Sequence, residues 1–158
     1  MICHPIEPLF DRNSKILILG SFPSVKSREE QFFYGHPQNR FWKVIAAVTN
    51  SPIPQTVDEK RSLLLSSNIA LWDVIASCDV IGSSDSSIRN VTPNDLSRIL
   101  DAADIQKIFV NGKTAEKYYN KYILKTINRE AICLPSTSPA NAGWSLERLC
   151  ETWRVILA

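Results

Sequence analysis

The sequence predicts an α/β fold: a single three-layer α/β/α domain over residues 1–158, built on a central four-stranded, mainly parallel sheet. Three observations lead to this class. Four short apolar runs are each bounded by Gly, Pro, Ser or Asn, and segments with helical spacing separate them. The chain of 158 residues is also long enough to bury one hydrophobic core.

The four strands are predicted from continuous apolar runs, which are typical of strands buried on both faces. They cover residues 15–21, 69–75, 108–111 and 131–134. Because helical segments lie between them, we expect parallel pairing through right-handed crossovers. The carboxyl ends of the strands then meet at one edge of the sheet, where open α/β sheets bind their ligands.

Five helices are predicted between and after these strands from apolar residues at helical spacing. They cover residues 41–48, 58–65, 92–103, 114–124 and 145–155. The third would begin with Thr92 as N-cap and Pro93 in its first turn, and the last with Ser145 as N-cap. The Ser- and Asp-rich stretch Gly82–Ser87 is expected to be a mobile surface loop.

Composition narrows the classes of partner. The net charge of +2 permits nucleic acid but lacks the strongly basic pattern of an electrostatic binder. No apolar run reaches the roughly 18 residues of a membrane span, so we expect no membrane partner and a cytoplasmic monomer. The four cysteines form no CxxC pair, and zinc and iron–sulfur sites usually need one. We therefore predict no metal and no cofactor.

Small and polar residues follow the first and last strands. The loop after the first strand has free backbone N–H groups, which suit an anion or a developing negative charge, although it also fits a plain turn. The loop after the last strand can follow a phosphate backbone with its hydroxyl and N–H groups. The candidates in the two loops are Gly20, Ser21, Phe22, Pro23 and Ser24, and then Ser136, Thr137, Ser138 and Asn141.

A second cluster lies between them, in His36–Trp42 and the residues just before it. Asn39 can both donate and accept hydrogen bonds, so it suits the orientation of a water or the reading of a base edge. It also suits capping of the helix that follows, and both roles can coexist. Tyr34 precedes the cluster in a loop, where its ring can stack on a planar ligand.

Two further polar residues end predicted strands. Asn111 can pair with a donor and an acceptor of a nucleobase, or simply form an Asn-Gly turn. Asp73 can bind a ribose or a water, or cap a loop. Common catalytic motifs are absent: the chain has no GxSxG, no GxxxxGK[ST] and no GxGxxG. A Ser-His-Asp set that uses His36, one of only two histidines, has no supporting spacing.

Taken in order, these motifs resemble the uracil-DNA glycosylase superfamily. Gly20–Ser24 stands at its first motif, Leu134–Asn141 at its second, and Tyr34–Ile45 is similar to the mismatch-specific branch. With Leu-Trp-Asp-Val and Asn-Gly-Lys between them, the set is most similar to the family 6 hypoxanthine-DNA glycosylases. The resemblance runs from about Leu9 to the C-terminus.

The resemblance implies a monofunctional, nucleoid-associated enzyme of base excision repair that removes hypoxanthine (deoxyinosine) from damaged DNA. It assigns water activation to Asn39, stacking on the flipped base to Tyr34, base reading to Asn111, and the grip on the strand to Ser136–Asn141. We expect Phe22 to cover the other face of the base and His36 to contact the substrate.

The first loop differs from other branches of this superfamily, which place an Asp or an Asn where this chain has Phe22. This departure argues against strong excision of uracil. Two alternatives stay open: a glycosylase for uracil or for several deaminated bases including xanthine, and a non-catalytic nucleic-acid-binding module on the same fold.

Overall fold

The computed structural model describes residues 1–158 and contains seven strands and seven α-helices. The strands are β1 (Ile2–Cys3), β2 (Ile16–Gly20), β3 (Ile69–Asp73), β4 (Ile75–Asp79), β5 (Arg89–Pro93), β6 (Lys107–Asn111) and β7 (Ile132–Leu134). The helices are α1 (Val25–Glu30), α2 (Phe41–Val48), α3 (Val57–Ser66), α4 (Ser97–Leu100), α5 (Lys113–Tyr118), α6 (Leu124–Ile127) and α7 (Leu146–Trp153).

The main sheet has four parallel strands in the order β3-β2-β6-β7, so all four predicted strands and their parallel pairing are confirmed. The central strand β2 is buried along its length because it has a neighbour on each side and layers above and below. Register places Gly20 beside Asp73 and Asn111 beside Leu134. The α/β class is confirmed, and the strand ends meet at one edge as expected.

A second, antiparallel sheet with the order β1-β4-β5 was not predicted from the sequence. The chain leaves the main sheet at Asp73, and β4 begins two residues later in the other sheet. The predicted helix start at Thr92 and Pro93 is wrong, because both residues lie in the edge strand β5. Proline is tolerated there since an edge strand has unpaired N–H positions. The helix α4 is short and begins only at Ser97.

Helix α1 was not predicted, whereas the remaining helices follow the predictions closely. Helix α2 has the expected bounds, and Ser145 caps α7 by accepting a hydrogen bond from the Arg148 N–H at 3.2 Å. Residues 113–127 form one helical stretch that contains a π-helical turn at Tyr119–Ile123. Helices α2 and α7 pack on each other within a core of 35 buried residues. None of the helices combines the length and the apolar character needed to cross a membrane.

The stretch Gly82–Ser87 lies on the surface, as expected, and hydrogen bonds join it to its surroundings. It contains a 3-10 turn at Asp85–Ser87. The Val25 N–H donates to Ser83 Oγ at 3.0 Å, and Arg28 Nη2 donates to the Gly82 carbonyl at 2.6 Å. Both contacts tie the loop to α1, which directly follows the first strand-end loop.

Candidate active site

A cavity of about 520 Å³ opens at the carboxyl ends of the parallel strands. Four segments surround it: the first loop (Gly20–Ser24) after β2, residues 31–40 between α1 and α2, the rim loop (Gly82–Ser87) after β4, and the second loop (residues 135–144) after β7. A further cavity of about 490 Å³ adjoins it between the second loop and the start of α5. The main cavity has the volume of a typical small-ligand site.

Of the residues predicted for the site, all except Asn141 lie in the wall of this main cavity. Asn141 lines the adjoining cavity, and its Nδ2 donates to the Ser136 carbonyl at 3.0 Å. The Nδ1 atom of His36 accepts from the Gln38 N–H at 3.1 Å, which leaves the ring proton on Nε2. The residues in the main wall are Gly20, Ser21, Phe22, Pro23, Ser24, Tyr34, His36, Asn39, Asn111, Ser136, Thr137 and Ser138.

The first loop depends on the missing side chain of Gly20. A Cβ atom there would lie 2.4 Å from Asp73 Oδ1 and 2.8 Å from the Tyr34 hydroxyl oxygen. Glycine therefore lets two polar groups from distant parts of the chain approach the end of β2. At the other end of the loop, Ser24 Oγ accepts from the Ser27 N–H at 3.2 Å as the N-cap of α1. The Ser24 hydroxyl oxygen is therefore already used to stabilise the start of α1.

Tyr34 is held rigidly in the wall. Its backbone is left-handed, with φ of 53°, and one face of its ring stacks on Phe41 with centroids 4.1 Å apart. Its hydroxyl oxygen accepts from Asn111 Nδ2 at 3.1 Å. Burial, together with the charge of Asp73, raises the pKa of Tyr34, so the hydroxyl stays protonated. Only the opposite ring face is left to stack on a base.

A chain of hydrogen bonds joins Asn111, Thr137 and Asn39 across the cavity floor. Asn111 Nδ2 donates to Thr137 Oγ1 at 3.0 Å, and Thr137 Oγ1 donates to Asn39 Oδ1 at 2.9 Å. Asn111 Oδ1 in turn accepts from the Thr137 N–H at 3.1 Å. Since Asn111 Nδ2 also donates to Tyr34, both N–H groups of its amide are engaged within the protein, and its oxygen accepts one hydrogen bond.

The donor and acceptor roles in this series of hydrogen bonds are fixed at Asn39. Its Oδ1 also accepts from the Phe41 N–H at 2.9 Å, a backbone donor that cannot be reversed. The N-cap residue of α2 is Arg40, and Asn39 lies one residue earlier, where its oxygen binds the first N–H of the helix. Both lone pairs of that oxygen are used, and the Nδ2 group has no partner in the protein. The group that Asn39 offers to the cavity is consequently an N–H donor.

Arg40 holds the second loop from within. Its guanidinium group donates to four backbone carbonyls of that loop, and its own N–H donates to one of the same carbonyls at 3.0 Å. A planar fork of five donors suits such a curved row of acceptors. The guanidinium acceptors are Thr137 at 3.5 Å, Ser138 at 3.0 Å, Asn141 at 3.1 Å and Trp144.

Two carboxylates also face the main cavity. Asp73, at the end of β3, is buried, and its Oδ2 atom lies 2.7 Å from His4 Nε2. Asp85 in the rim loop lines both cavities. Burial raises the pKa of the Asp85 carboxyl, while hydrogen bonds with Thr114 and Ser21 oppose that rise. The nearby charge of Asp73 acts in the same direction as the burial.

Comparison with known proteins decides the family. A sequence profile described as "Uracil DNA glycosylase superfamily" matches residues 7–157. This chain belongs to the uracil DNA glycosylase superfamily.

Relatives from two archaea match almost the whole chain. A protein of Methanosarcina acetivorans named hypoxanthine DNA glycosylase is 34% identical over 158 residues, which cover 99% of this chain and 98% of the relative. A protein of the same name from Methanosarcina barkeri is 33% identical over 148 residues, 87% of this chain and 92% of the relative. The solution NMR structure of a Methanosarcina acetivorans protein classed with the uracil DNA glycosylases superimposes with a TM-score of 0.81 and 31% identity, and each chain is fully covered.

Sequence reasoning left out three contributions to this superfamily site. The rim loop was expected to be mobile surface, and His4 and Arg40 received no role. The Gly and Ser residues of the rim loop resemble those of the first loop, and this similarity was the available signal. No local signal exists for His4, because its contact with Asp73 joins residues 69 positions apart.

Proposed function

We propose that this chain is a monofunctional DNA glycosylase that removes hypoxanthine from DNA by hydrolysing the N-glycosidic bond of deoxyinosine. The observation that carries the proposal is the main cavity, which has room for a flipped nucleotide and presents the fixed Asn39 amide to it. The names of the two Methanosarcina relatives support hypoxanthine as the base. Such an enzyme starts base excision repair.

The chemistry requires help at both ends of the breaking bond. As the bond lengthens, positive charge builds on the sugar and negative charge builds on the departing purine. A preorganised donor is most effective in such a site because it needs no reorganisation during the reaction. Asn39 Nδ2 is such a donor, since Thr137 and Phe41 fix the amide through its oxygen.

We assign Asn39 to the attacking water. An N–H donor binds a water through one lone pair of the water oxygen and leaves the other lone pair free to attack the anomeric carbon. The bond to N9 breaks with its electron pair on the purine, and the purine takes up the proton that the water loses. Asn39 holds no charge of its own, so it orients the water without acting as a strong base. This role differs from a carbonyl that accepts a hydrogen bond from the water, because Asn39 Oδ1 already accepts two hydrogen bonds.

The nucleophile is water and not an amine of the protein. No lysine lines the main cavity. Lys113 lines only the adjoining cavity, and Lys26 is paired with Glu30 at 3.5 Å on the surface. Without an amine at the sugar, no covalent imine forms and the strand is not cut. The product is an abasic site in an intact strand.

The second loop provides the contact with the DNA backbone. Ser136 Oγ and Ser138 Oγ accept from N–H groups of their own loop, and their hydroxyl hydrogens are left to donate to phosphate oxygens. Tyr34 and Phe22, both in the wall, cover the faces of the base. The enzyme acts as a single-domain monomer on nucleoid DNA.

The test is a strand-nicking assay on duplexes with one deoxyinosine or one deoxyuridine, with and without alkali after incubation. We expect a nick at deoxyinosine that appears only after alkali. A nick without alkali would contradict the monofunctional assignment, and a nick at deoxyuridine alone would replace hypoxanthine with uracil as the substrate. Tight binding of the inosine duplex without any abasic product would identify a binding module instead.

A further inference from the structure

One acceptor in the cavity wall has no partner in the protein: the Oδ1 atom of Asp73. Its carboxylate is 5% exposed, and the only hydrogen bond it makes uses Oδ2. Oδ1 lies over Gly20, close to the Tyr34 hydroxyl, at the position where a Cβ atom on Gly20 would collide with it. Because Asp73 lines the main cavity, a ligand in the cavity can donate a hydrogen bond to Oδ1.

His4 fixes the position of the Asp73 carboxylate. Its Nδ1 atom accepts from the Ile6 N–H at 3.2 Å, so the ring proton is on Nε2 and is directed at Asp73. His4 therefore donates to Oδ2 and leaves Oδ1 free to accept from a ligand. The His4 side chain is 3% exposed and packs edge-on against Phe22 and Trp72. Neither group can turn away without breaking this packing.

The other candidate for base reading is only partly available in this structure. Asn111 uses both N–H groups of its amide on Tyr34 and Thr137, and its oxygen already accepts from the Thr137 N–H. Asp73 Oδ1, in contrast, accepts no hydrogen bond from the protein and carries the charge of a carboxylate. Because Oδ2 is occupied by His4, Asp73 presents one acceptor and no donor.

We propose that Asp73 is the specificity-determining residue of the cavity, which accepts the N1–H of hypoxanthine, and that His4 is its positioning residue. This inference rests on the proposed function and names the group that selects the base. Hypoxanthine carries a hydrogen on N1, whereas adenine has a lone pair there, which faces the carboxylate unfavourably. Asp73 therefore favours hypoxanthine and disfavours adenine through the same ring atom, N1.

The test compares two purines that differ at this atom. Deoxyinosine has the N1–H, and 2′-deoxynebularine has a lone pair on N1 and no substituent at C6. Single-turnover rate constants are measured for each in the same duplex, and their ratio is the readout. We expect the wild-type ratio to be about 100-fold or more in favour of deoxyinosine, as for a site whose acceptor is left unpaired by the wrong substrate.

Asp73→Asn should lower this ratio about tenfold or more, because an amide can also donate to a lone pair on N1. Asp85→Asn is the matched control, since it removes the same charge from the same cavity. Whatever its effect on rate, it should leave the ratio unchanged. His4→Phe should lower the ratio while keeping the ring packing, and His4→Gln, which restores a donor, should recover most of it. Circular dichroism checks that each variant folds.

Equal losses on both substrates in Asp73→Asn would overturn the proposal and assign Asp73 to the charge on the sugar. A wild-type protein inactive on deoxyinosine would contradict the proposed function only. Dissociation constants for uncleavable 2′-fluoro forms of the two nucleotides then supply the same ratio without catalysis. An unchanged ratio in Asp73→Asn would refute base reading there as well.

Discussion

Replacement of Arg40 by alanine should loosen the second loop and lower the stability of the whole protein. The guanidinium group bridges four carbonyls that lie within an eight-residue segment. A hydrogen bond from a charged donor contributes roughly 1.5–3 kcal/mol. Arg40 is only half-buried, so water can replace part of what is lost, and we expect a total loss of about 3 kcal/mol.

For a protein of this size each kcal/mol corresponds to about 2–4 °C in Tm, so Arg40→Ala should melt about 6–12 °C lower. Arg40→Lys keeps the charge but reaches fewer carbonyls, and it should fall between wild type and alanine. As the second loop becomes less ordered, the rate of deoxyinosine excision should also fall, from wild type to Arg40→Lys to Arg40→Ala. Thermal melting by circular dichroism and single-turnover excision measure the two effects.

Arg148 offers a matched control on the same loop. It makes one exposed contact of 3.3 Å with the Gly143 carbonyl and stacks over Trp144. Arg148→Ala should change stability by less than about 1 kcal/mol. The reasoning about Arg40 would be refuted if Arg40→Ala melted like wild type but bound DNA more weakly and with a smaller salt dependence. That result would make Arg40 a phosphate ligand.

Three other changes separate structure from chemistry at the site. Asn39→Ala should abolish excision and lower the stability by only about 1 kcal/mol, because it loses the hydrogen bond to the first turn of α2. Asn39→Asp should keep the oxygen that makes this hydrogen bond and still lose excision. If Asn39→Asp were active in the nicking assay, the N–H donor would not be needed. Gly20→Ala should unfold at lower urea concentration and lose activity, because its Cβ would meet Asp73 and Tyr34 at less than 3 Å. Burial raises the pKa of Tyr119 to about 12 from an ordinary value near 10. As the pH rises, Tyr119 therefore ionises first in the unfolded chain. Its contribution to the free energy of unfolding is complete below pH 10 and is lost between pH 10 and 12. Urea unfolding should show this fall in wild type and a smaller one in Tyr119→Phe.

The main sheet was predictable because its strands are buried on both faces and therefore read as continuous apolar runs. The second sheet was not, for a related reason. Strand β4 (Ile75–Asp79) mixes Ser, Cys and Asp with apolar residues, and β1 has only two residues. The Thr92-Pro93 pair imitates a helix start, but β5 pairs with β4 and thereby overrides that local preference.

The membership of the site was predictable from position, whereas the roles of its atoms were not. A residue that ends or follows a strand must lie at the edge of the sheet, so Asn111 and Thr137 could be placed near one another in advance. Asn39, which lies between α1 and α2, was placed at the site only through the resemblance. Which atom of each amide faces the ligand depends on partners 26 and 98 positions away in the sequence. Such contacts leave no pattern in the local sequence. Sequence reasoning therefore favoured Asn111 as the reader of the base, although both N–H groups of its amide are engaged within the protein.

The weakly basic charge of the chain is consistent with a site in which acidic groups line the cavity and uncharged donors contact the phosphates. Asp73 and Asp85 place two carboxyl groups in the cavity, and negative charge there repels the phosphates that a glycosylase must approach. Hydroxyl and N–H donors on the second loop can bind phosphate without adding positive charge beside these acids. Arg40, which could have served as a phosphate ligand, instead orders the loop that carries those donors. Affinity for DNA should accordingly depend less on salt than in proteins that bind phosphates through lysine and arginine, because the selective step takes place at neutral donors and one buried carboxylate.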